Sequence, residues 1–334
     1  MQWRAGSTGN RHDVAYDACE LFALPSGGEG FGLVFLEAMS HGKPVIGGAH
    51  GGTPETIEEG ISGYLVQHGD VAQLALRERR QMMATGPLLA AAPYLIEQNY
   101  VTYAAEQHEV WAELVRRCRP QVETYACREY LEGYEVIGLQ DDHLPNLRAI
   151  TERLRPRTGW STMPVSGFLP AEAFFEMLSA RLFPTTTYLR GRDSLEYTPE
   201  PDIFHDVFGH VPMHAHAVFS DFVQHYGSVC ARTKSPEVVE RLGRLYWYTV
   251  EFGLIRQGGM IKAYGSGVIS SHRECRNVIE GGCEIREFTL KDVFATTVKV
   301  DELQKRLFVI ESFDQLYQAM EEAQRQAAEE EPNA

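Results

Sequence analysis

The stretch Pro201-Asp202-Ile203-Phe204-His205-Asp206-Val207-Phe208-Gly209-His210-Val211-Pro212 sets two histidines five positions apart in otherwise apolar surroundings. Further along, a single carboxylate, Glu251, interrupts a second apolar run, Leu245-Tyr246-Trp247-Tyr248-Thr249-Val250-Glu251-Phe252-Gly253-Leu254. Two imidazoles and one carboxylate on one face of a metal leave the other face open. That is the ligand set with which non-haem iron(II) takes up oxygen and a substrate together. Plainer readings stand beside this one. Each histidine alone reads as a hydrogen-bonded core residue, and Glu251 as the partner of an arginine such as Arg244. An unpaired buried carboxylate is costly and needs a cation of some kind; a metal supplies one and also uses both imidazoles. Five positions along an α-helix rotate through about 500°, so His205 and His210 do not share one face. Gly209 is expected to let the backbone leave helical geometry so that the rings converge. A zinc hydrolase helix needs histidines four apart with a glutamate directly after the first; here the spacing is five and Asp206 follows His205. His214 and His216 have no matching carboxylate nearby and stay outside the ligand set.

The 334 residues suggest two domains, with one large domain as the alternative. A formal charge of -15, from 46 acidic and 31 basic residues, argues against nucleic acid and anionic membrane as partners. Part of the excess, Glu321, Glu322 and Glu329-Glu330-Glu331, reads as a solvated, frayed end. No apolar run reaches the ~18 residues of a membrane span, and the first ten residues lack the apolar core of a signal peptide. None of the six cysteines is spaced as C-x-x-C, so neither a zinc site nor a disulfide framework is indicated. Free thiols in a reducing cytoplasm are the expectation.

The chain changes character across residues 79–93, where a domain boundary is placed. Before it, strand, glycine loop and helix alternate. Leu21–Leu24 reads as a strand, Pro25–Gly32 as a loop and Leu33–Ser40 as a helix stopped by Gly42. Pro44–Ile46 reads as the next strand, and a further helix has Thr53 as N-cap and Pro54 in its first position. Glycine-rich helix starts can hold phosphate on free N–H groups, though short glycine turns are common in any α/β fold. The fuller string is Leu24-Pro25-Ser26, Glu29 to Met39, Gly42 to Ile46, Gly51-Gly52-Thr53-Pro54-Glu55 and Gly63 to Val66. It resembles the nucleotide-sugar lobe of retaining group 1 glycosyltransferases. The resemblance implies an incomplete α/β Rossmann-like half-lobe over residues 1–88, with Glu29 near the donor sugar and Glu37 near its ribose. It covers only about residues 12–75, without an acceptor lobe, and reads as a remnant or fusion. A nucleotide-sugar-dependent glycosyltransferase is the alternative function. Half a doubly wound sheet exposes an unpaired edge, so this segment is expected to be less stable than the rest unless a partner covers it.

From Pro93 onward the pattern is mainly α with small β elements. Trp111, Leu114 and Val115 mark one apolar helix face. A helix is expected from Ala171 to Phe183, between Pro170 and Pro184. Another has Ser235 as N-cap and Pro236 first, and carries Glu251 near its far end. Thr296-Thr297-Val298 and Leu307–Ile310 read as strands. The catalytic domain is placed at 93–327, with an acidic tail at 328–334.

Several separate motifs in order carry a second resemblance: Thr198 to Pro212, Leu245 to Leu254, and Ile261 to Ser271. Supporting pieces are Ala126-Cys127 with Tyr130, Thr158-Gly159-Trp160, Pro164 to Gly167, and Glu311-Ser312-Phe313. Together they resemble the pterin-dependent aromatic amino acid hydroxylases, above all the short bacterial phenylalanine 4-monooxygenases, over about residues 93–325. The resemblance implies that His205, His210 and Glu251 hold iron(II) and that a tetrahydropterin supplies two electrons to molecular oxygen. The reaction it implies is L-phenylalanine to L-tyrosine, with tyrosine or tryptophan as alternative substrates. It further implies that Arg190 binds the substrate carboxylate and that Thr198 and Ser270 contact the amino acid backbone. Pro201, Trp247 and Gly267 would form the slot for the ring. Phe174 would stack on the pterin, beside Gly167 and Leu169. Asp206 stands where animal members carry a glutamate near the pterin. From the residues alone, Arg190 is a solvated arginine in a turn beside Gly191, and Phe174 and Phe175 are ordinary core. Val300 aligns with an apolar position of phenylalanine-preferring members, although Asp301 sits beside it. Neither the regulatory domain nor the C-terminal heptad helix of animal members is present, so a constitutively active monomer is expected.

Overall fold

The computed structural model describes residues 16, 19, 21–30, 32–59, 62–70, 73–74, 90–196, 200–299 and 302–330. The chain divides into two compact units, Met1–Ala92 and Pro93–Ala334. Most of the expected boundary stretch at 79–93 lies outside the described residues.

In the first unit, strands Phe22–Leu24, Val45–Gly48 and Gly63–Val66 form a parallel sheet in that order. Among the described residues of this unit each outer strand has a neighbour on one side only. The helix Leu33–Ser40 follows Gly32 and stops at Gly42, both glycines having positive φ (75° and 67°). It packs Phe35 and Ala38 against Tyr16, Val45 and Ile57. Glu37 accepts a hydrogen bond from the Tyr16 hydroxyl at 3.0 Å. A Cβ at Gly48 would lie 2.0 Å from the Ser26 carbonyl oxygen, so the sheet can approach the glycine loop only without a side chain there. Thr53 is not the N-cap that its position suggested. Gly52 caps the short helix Thr53–Thr56, and the buried Thr53 hydroxyl has no hydrogen-bond partner among the described residues.

The second unit packs helices around one core. Helix Ala105–Tyr125 buries Val110, Trp111, Leu114, Val115, Cys118 and Val122, a stripe at helical spacing. Ser235 accepts from the Val238 N–H and starts helix Pro236–Tyr246. Asn146 does the same for Leu147–Thr158, which Gly159 (φ 79°) closes. A four-stranded sheet runs Met260–Ala263, Leu254–Gln257, Arg306–Ile310, Glu284–Glu287; a separate parallel pair joins Ser161–Val165 to Leu182–Thr186.

Three expectations are corrected. Helix Ala171–Ser179 ends before Phe183, because Arg181 takes a positive φ of 57° and turns the chain into strand Leu182–Thr186. The Arg181 guanidinium, bonded to Gln224, Asp221 and the Thr158 carbonyl, holds that turn. Thr296–Val298 is irregular rather than a strand. Glu321 and Glu322 are not frayed: they belong to helix Phe313–Glu330, whose Met320, Ala323 and Ala327 are buried.

Helix Arg128–Ile137 rests directly on the segment that follows His210: a Cβ at Gly133 would sit 2.0 Å from the Pro212 carbonyl oxygen. Gly133→Ala is therefore expected to lower the unfolding free energy by ~1–3 kcal/mol through overpacking, read as a shift of the urea midpoint.

Candidate metal centre

Two segments of the second unit wind as π-helices, Phe204–His210 and Trp247–Glu251. The second continues the α-helix Pro236–Tyr246 without a break. When hydrogen bonds span five residues rather than four, positions five apart lie about one turn apart. His205 and His210 therefore point to the same side, without any departure from helical winding at Gly209. The absent Cβ of Gly209 serves a different purpose. Added there, it would stand 3.0 Å from Ser266 Cβ and 3.3 Å from Ser270 Cβ, so its absence lets the turn Ser266–Ile269 close on the site.

His210 Nε2 lies 3.0 Å from Glu251 Oε1 and 3.2 Å from His205 Nε2, and His205 Nε2 lies 3.6 Å from Glu251 Oε2. A metal with bonds of ~2.1 Å at right angles spaces its ligand atoms ~3 Å apart, so the three donors fit one face of an ion. Their electrostatics fit as well. Burial lowers His205 to about 4, keeping it neutral against the opposing pull of Glu251. Burial would raise Glu251, but His210, His205 and the Ser266 hydroxyl outweigh it and hold the carboxyl at about 2, an anion.

The tautomer of His205 is set by its neighbour. Ser270 Oγ donates its one proton to the Ser266 carbonyl (2.7 Å) and so accepts from His205 Nδ1 (2.9 Å). That leaves the Nε2 lone pair for a metal. Ser266 Oγ donates to Glu251 Oε2 at 2.8 Å.

Arg190 is not a solvated turn residue. It is buried and gives Nε and Nη2 to the two oxygens of Asp202, at 2.8 and 2.7 Å. Asp202 also accepts from the backbone N–H groups of Arg190 and His205. Burial would raise its carboxyl, and Arg190 more than offsets that. The edge of the guanidinium that carries Nε is thus committed, and Nη1 is the donor without a place in this pair. Asp206 turns its Oδ2 to the Thr186 N–H (2.7 Å) and hydroxyl (2.8 Å); burial raises it to about 7.

Gly267 lies under Phe252, whose ring a Cβ would meet at 2.6 Å. The Trp247 ring stands 5.0 Å from Phe252. Phe174 is half-buried and meets Tyr246 edge-on at 5.5 Å, one residue before the second π segment. Gly167 (φ 148°) precedes Phe168, which is 79% exposed, and the buried Leu169. Pro201 is exposed beside Asp202. Thr198 and Val300 lie outside the described residues.

Arg244 pairs with Glu240 and the Phe294 carbonyl, so it does not neutralise Glu251. His214 is fully buried in a stack with Trp160, and His216 caps a helix through the Phe219 N–H; neither joins the ligand set. Asp202, Thr186 and Ser266 were missed as site residues. Each serves a group distant in sequence, which no local pattern marks.

A sequence model of the family described as "Biopterin-dependent aromatic amino acid hydroxylase" matches residues 62–330, and one described as "Glycosyl transferases group 1" matches residues 6–80. Phenylalanine-4-hydroxylase of Chromobacterium violaceum is 38% identical over 230 residues, 69% of this chain and 77% of that protein. Its crystal structure with bound oxidized Fe(III) aligns with a TM-score of 0.68 at 37% identity, covering 72% of this chain and 88% of the other. A second structure of the same enzyme, with iron(III) and 7,8-dihydrobiopterin, aligns at 0.67 and 37%, covering 72% and 87%.

Alanine at His205, His210 or Glu251 is expected to abolish the binding of one equivalent of iron(II) per chain, measured by metal analysis after desalting. Asp202→Ala strands a buried guanidinium and is expected to cost ~3–5 kcal/mol of stability, measured by chemical denaturation.

Proposed function

The chain belongs to the biopterin-dependent aromatic amino acid hydroxylases, and we propose on that footing that it converts L-phenylalanine to L-tyrosine with iron(II), a tetrahydropterin and molecular oxygen. The observation that carries this reading is the convergence of His205, His210 and Glu251 at the spacing of one face of a metal. Iron(II) and the reduced pterin, when bound, supply the oxygen activation and the electrons; the protein supplies ligation, placement and exclusion of water.

His205, neutral and fixed by Ser270 in the Nδ1–H tautomer, offers Nε2, and Glu251 offers a carboxylate that stays ionised. Arg190, braced by Asp202, takes the substrate carboxylate, with Nη1 as the uncommitted donor. Because Asp202 also holds the His205 N–H, substrate anchor and metal ligand share one support. Thr198 and the remaining acceptor capacity of Ser270 contact the amino acid backbone. Pro201, Trp247 and Gly267 flank the aromatic ring. Phe174 stacks on the pterin, with Gly167 and Leu169 in the loop beside it, and Asp206 faces the pterin. Phe183 packs against His210 on the ligand side, while the Phe204–Phe208 stack seats the π segment on Trp111, Tyr130 and Tyr134 in the core.

Phenylalanine is preferred over tyrosine on the apolar character of Val300 and on the likeness to an enzyme called phenylalanine-4-hydroxylase. The catalytic domain is residues 93–327. Residues 1–88 form a partial nucleotide-sugar lobe without a part in hydroxylation, and 328–334 an acidic tail. The enzyme acts as a monomer. The six cysteines carry free thiols, which fits a reducing compartment such as the cytoplasm, and no helix among the described residues is long and apolar enough to cross a membrane.

Tyrosine formation from phenylalanine with added iron(II), tetrahydropterin and oxygen tests this reading. The intact chain and a chain lacking residues 1–88 are expected to turn over at similar rates, and His205→Ala not at all. An intact, iron-loaded chain that makes no tyrosine refutes it.

A further inference from the structure

The tripeptide Gly265-Ser266-Gly267 packs its backbone against the main chain of Glu251. A Cβ at Gly265 would lie 2.5 Å from the Glu251 carbonyl oxygen, and one at Gly267 3.1 Å from it. Two glycines thus let the turn Ser266–Ile269 come close enough for the residue between them to reach the Glu251 side chain. That residue is fully buried, and its hydroxyl donates to Glu251 Oε2 at 2.8 Å. The other oxygen, Oε1, faces His210 Nε2 at 3.0 Å. The Ser266 carbonyl meanwhile receives the Ser270 hydroxyl that orients His205. One residue is therefore joined to two of the three donors, directly to the carboxylate and through Ser270 to an imidazole.

We propose that Ser266 is a positioning residue for the metal: its hydroxyl holds the Glu251 carboxylate in the orientation that binds iron(II). The inference rests on the iron reading above. A carboxylate on a flexible side chain loses rotational freedom on ligation. A charge-assisted hydrogen bond to one oxygen removes part of that freedom before the ion arrives. Partners that orient metal ligands in this way are typically worth 10–100-fold in metal affinity.

The test is the dissociation constant for iron(II), measured by competition with a ferrous chelator on the full-length chain. Ser266→Ala is expected to raise it about tenfold. At saturating iron, kcat is expected to fall while the KM for phenylalanine stays within about twofold, since Arg190 and Asp202 are untouched. Ser266→Gly adds no atom to the buried turn and is expected to match the alanine variant, which keeps the test open should alanine disturb packing. Unchanged iron affinity in both variants overturns the proposal. So does a parallel loss of iron affinity and rise in the KM for phenylalanine, which is the mark of a loosened fold. A wild-type chain that takes up no iron(II) defeats the iron reading itself, and the serine's role with it.

Discussion

A carboxylate kept ionised beside two imidazoles, inside an apolar core, is tolerable only where a cation completes the group. Among the described side chains around Glu251 none supplies a permanent one: Arg244 is engaged elsewhere and Arg190 is matched by Asp202. Much of the local structure follows from this one demand. Both π segments place their ligands on the inner side, and the turn Ser266–Ile269 closes over them. Glycines at 209, 265 and 267 permit the closure by lacking side chains. π-Helical winding is rare and of poorer geometry than α-winding, so its use twice at one site marks a functional constraint rather than a packing optimum.

A second buried charge pair supports the first. Arg190 and Asp202 are each capped by the other, and Asp202 reaches on to the His205 backbone. A buried ion pair of this kind is weak as a source of stability but strong as a constraint on position. The Arg190 guanidinium and the His205 backbone are thereby tied to one carboxylate. Asp206, one residue on, shows the opposite treatment. Among the described residues it has no paired cation and its side chain accepts only from Thr186, and its carboxyl is raised to about 7 by burial. Two acids four positions apart thus have opposite charge tendencies, decided by what faces them.

The amino-terminal unit obeys a different logic. Its three parallel strands, one eight-residue helix and small core around Phe35 and Val45 form a recognisable piece of an α/β lobe. The close backbone approach at Gly48 is of the kind that glycine-rich loops exist to allow. Among the described residues of the unit both outer strands have a neighbour on one side only, as in half of a doubly wound sheet. The larger unit contains its own core and every residue of the metal site.

How much of this was legible depended on how local each signal was. The Pro236 start with its serine cap, the stop at Gly42 and the apolar stripe of Trp111, Leu114 and Val115 are encoded within a few residues, and the sequence alone determined them. The three candidate ligands could be named from an acid and two histidines in apolar runs, but plainer readings stood beside them until the fold brought their donor atoms within 4.8 Å of one another. The winding that brings the histidines together was not legible, since helical periodicity assumes about 3.6 residues per turn and the chain departs from it only under tertiary packing. The end of the helix at Ser179 rather than Phe183 depended on Arg181 reaching Asp221 and Gln224, far along the chain. The pairing of Arg190 with Asp202, and of Ser266 with Glu251, likewise joins residues that no spacing rule connects. Residue type records what chemistry a position can perform; which partner it meets is decided only when distant segments fold against each other.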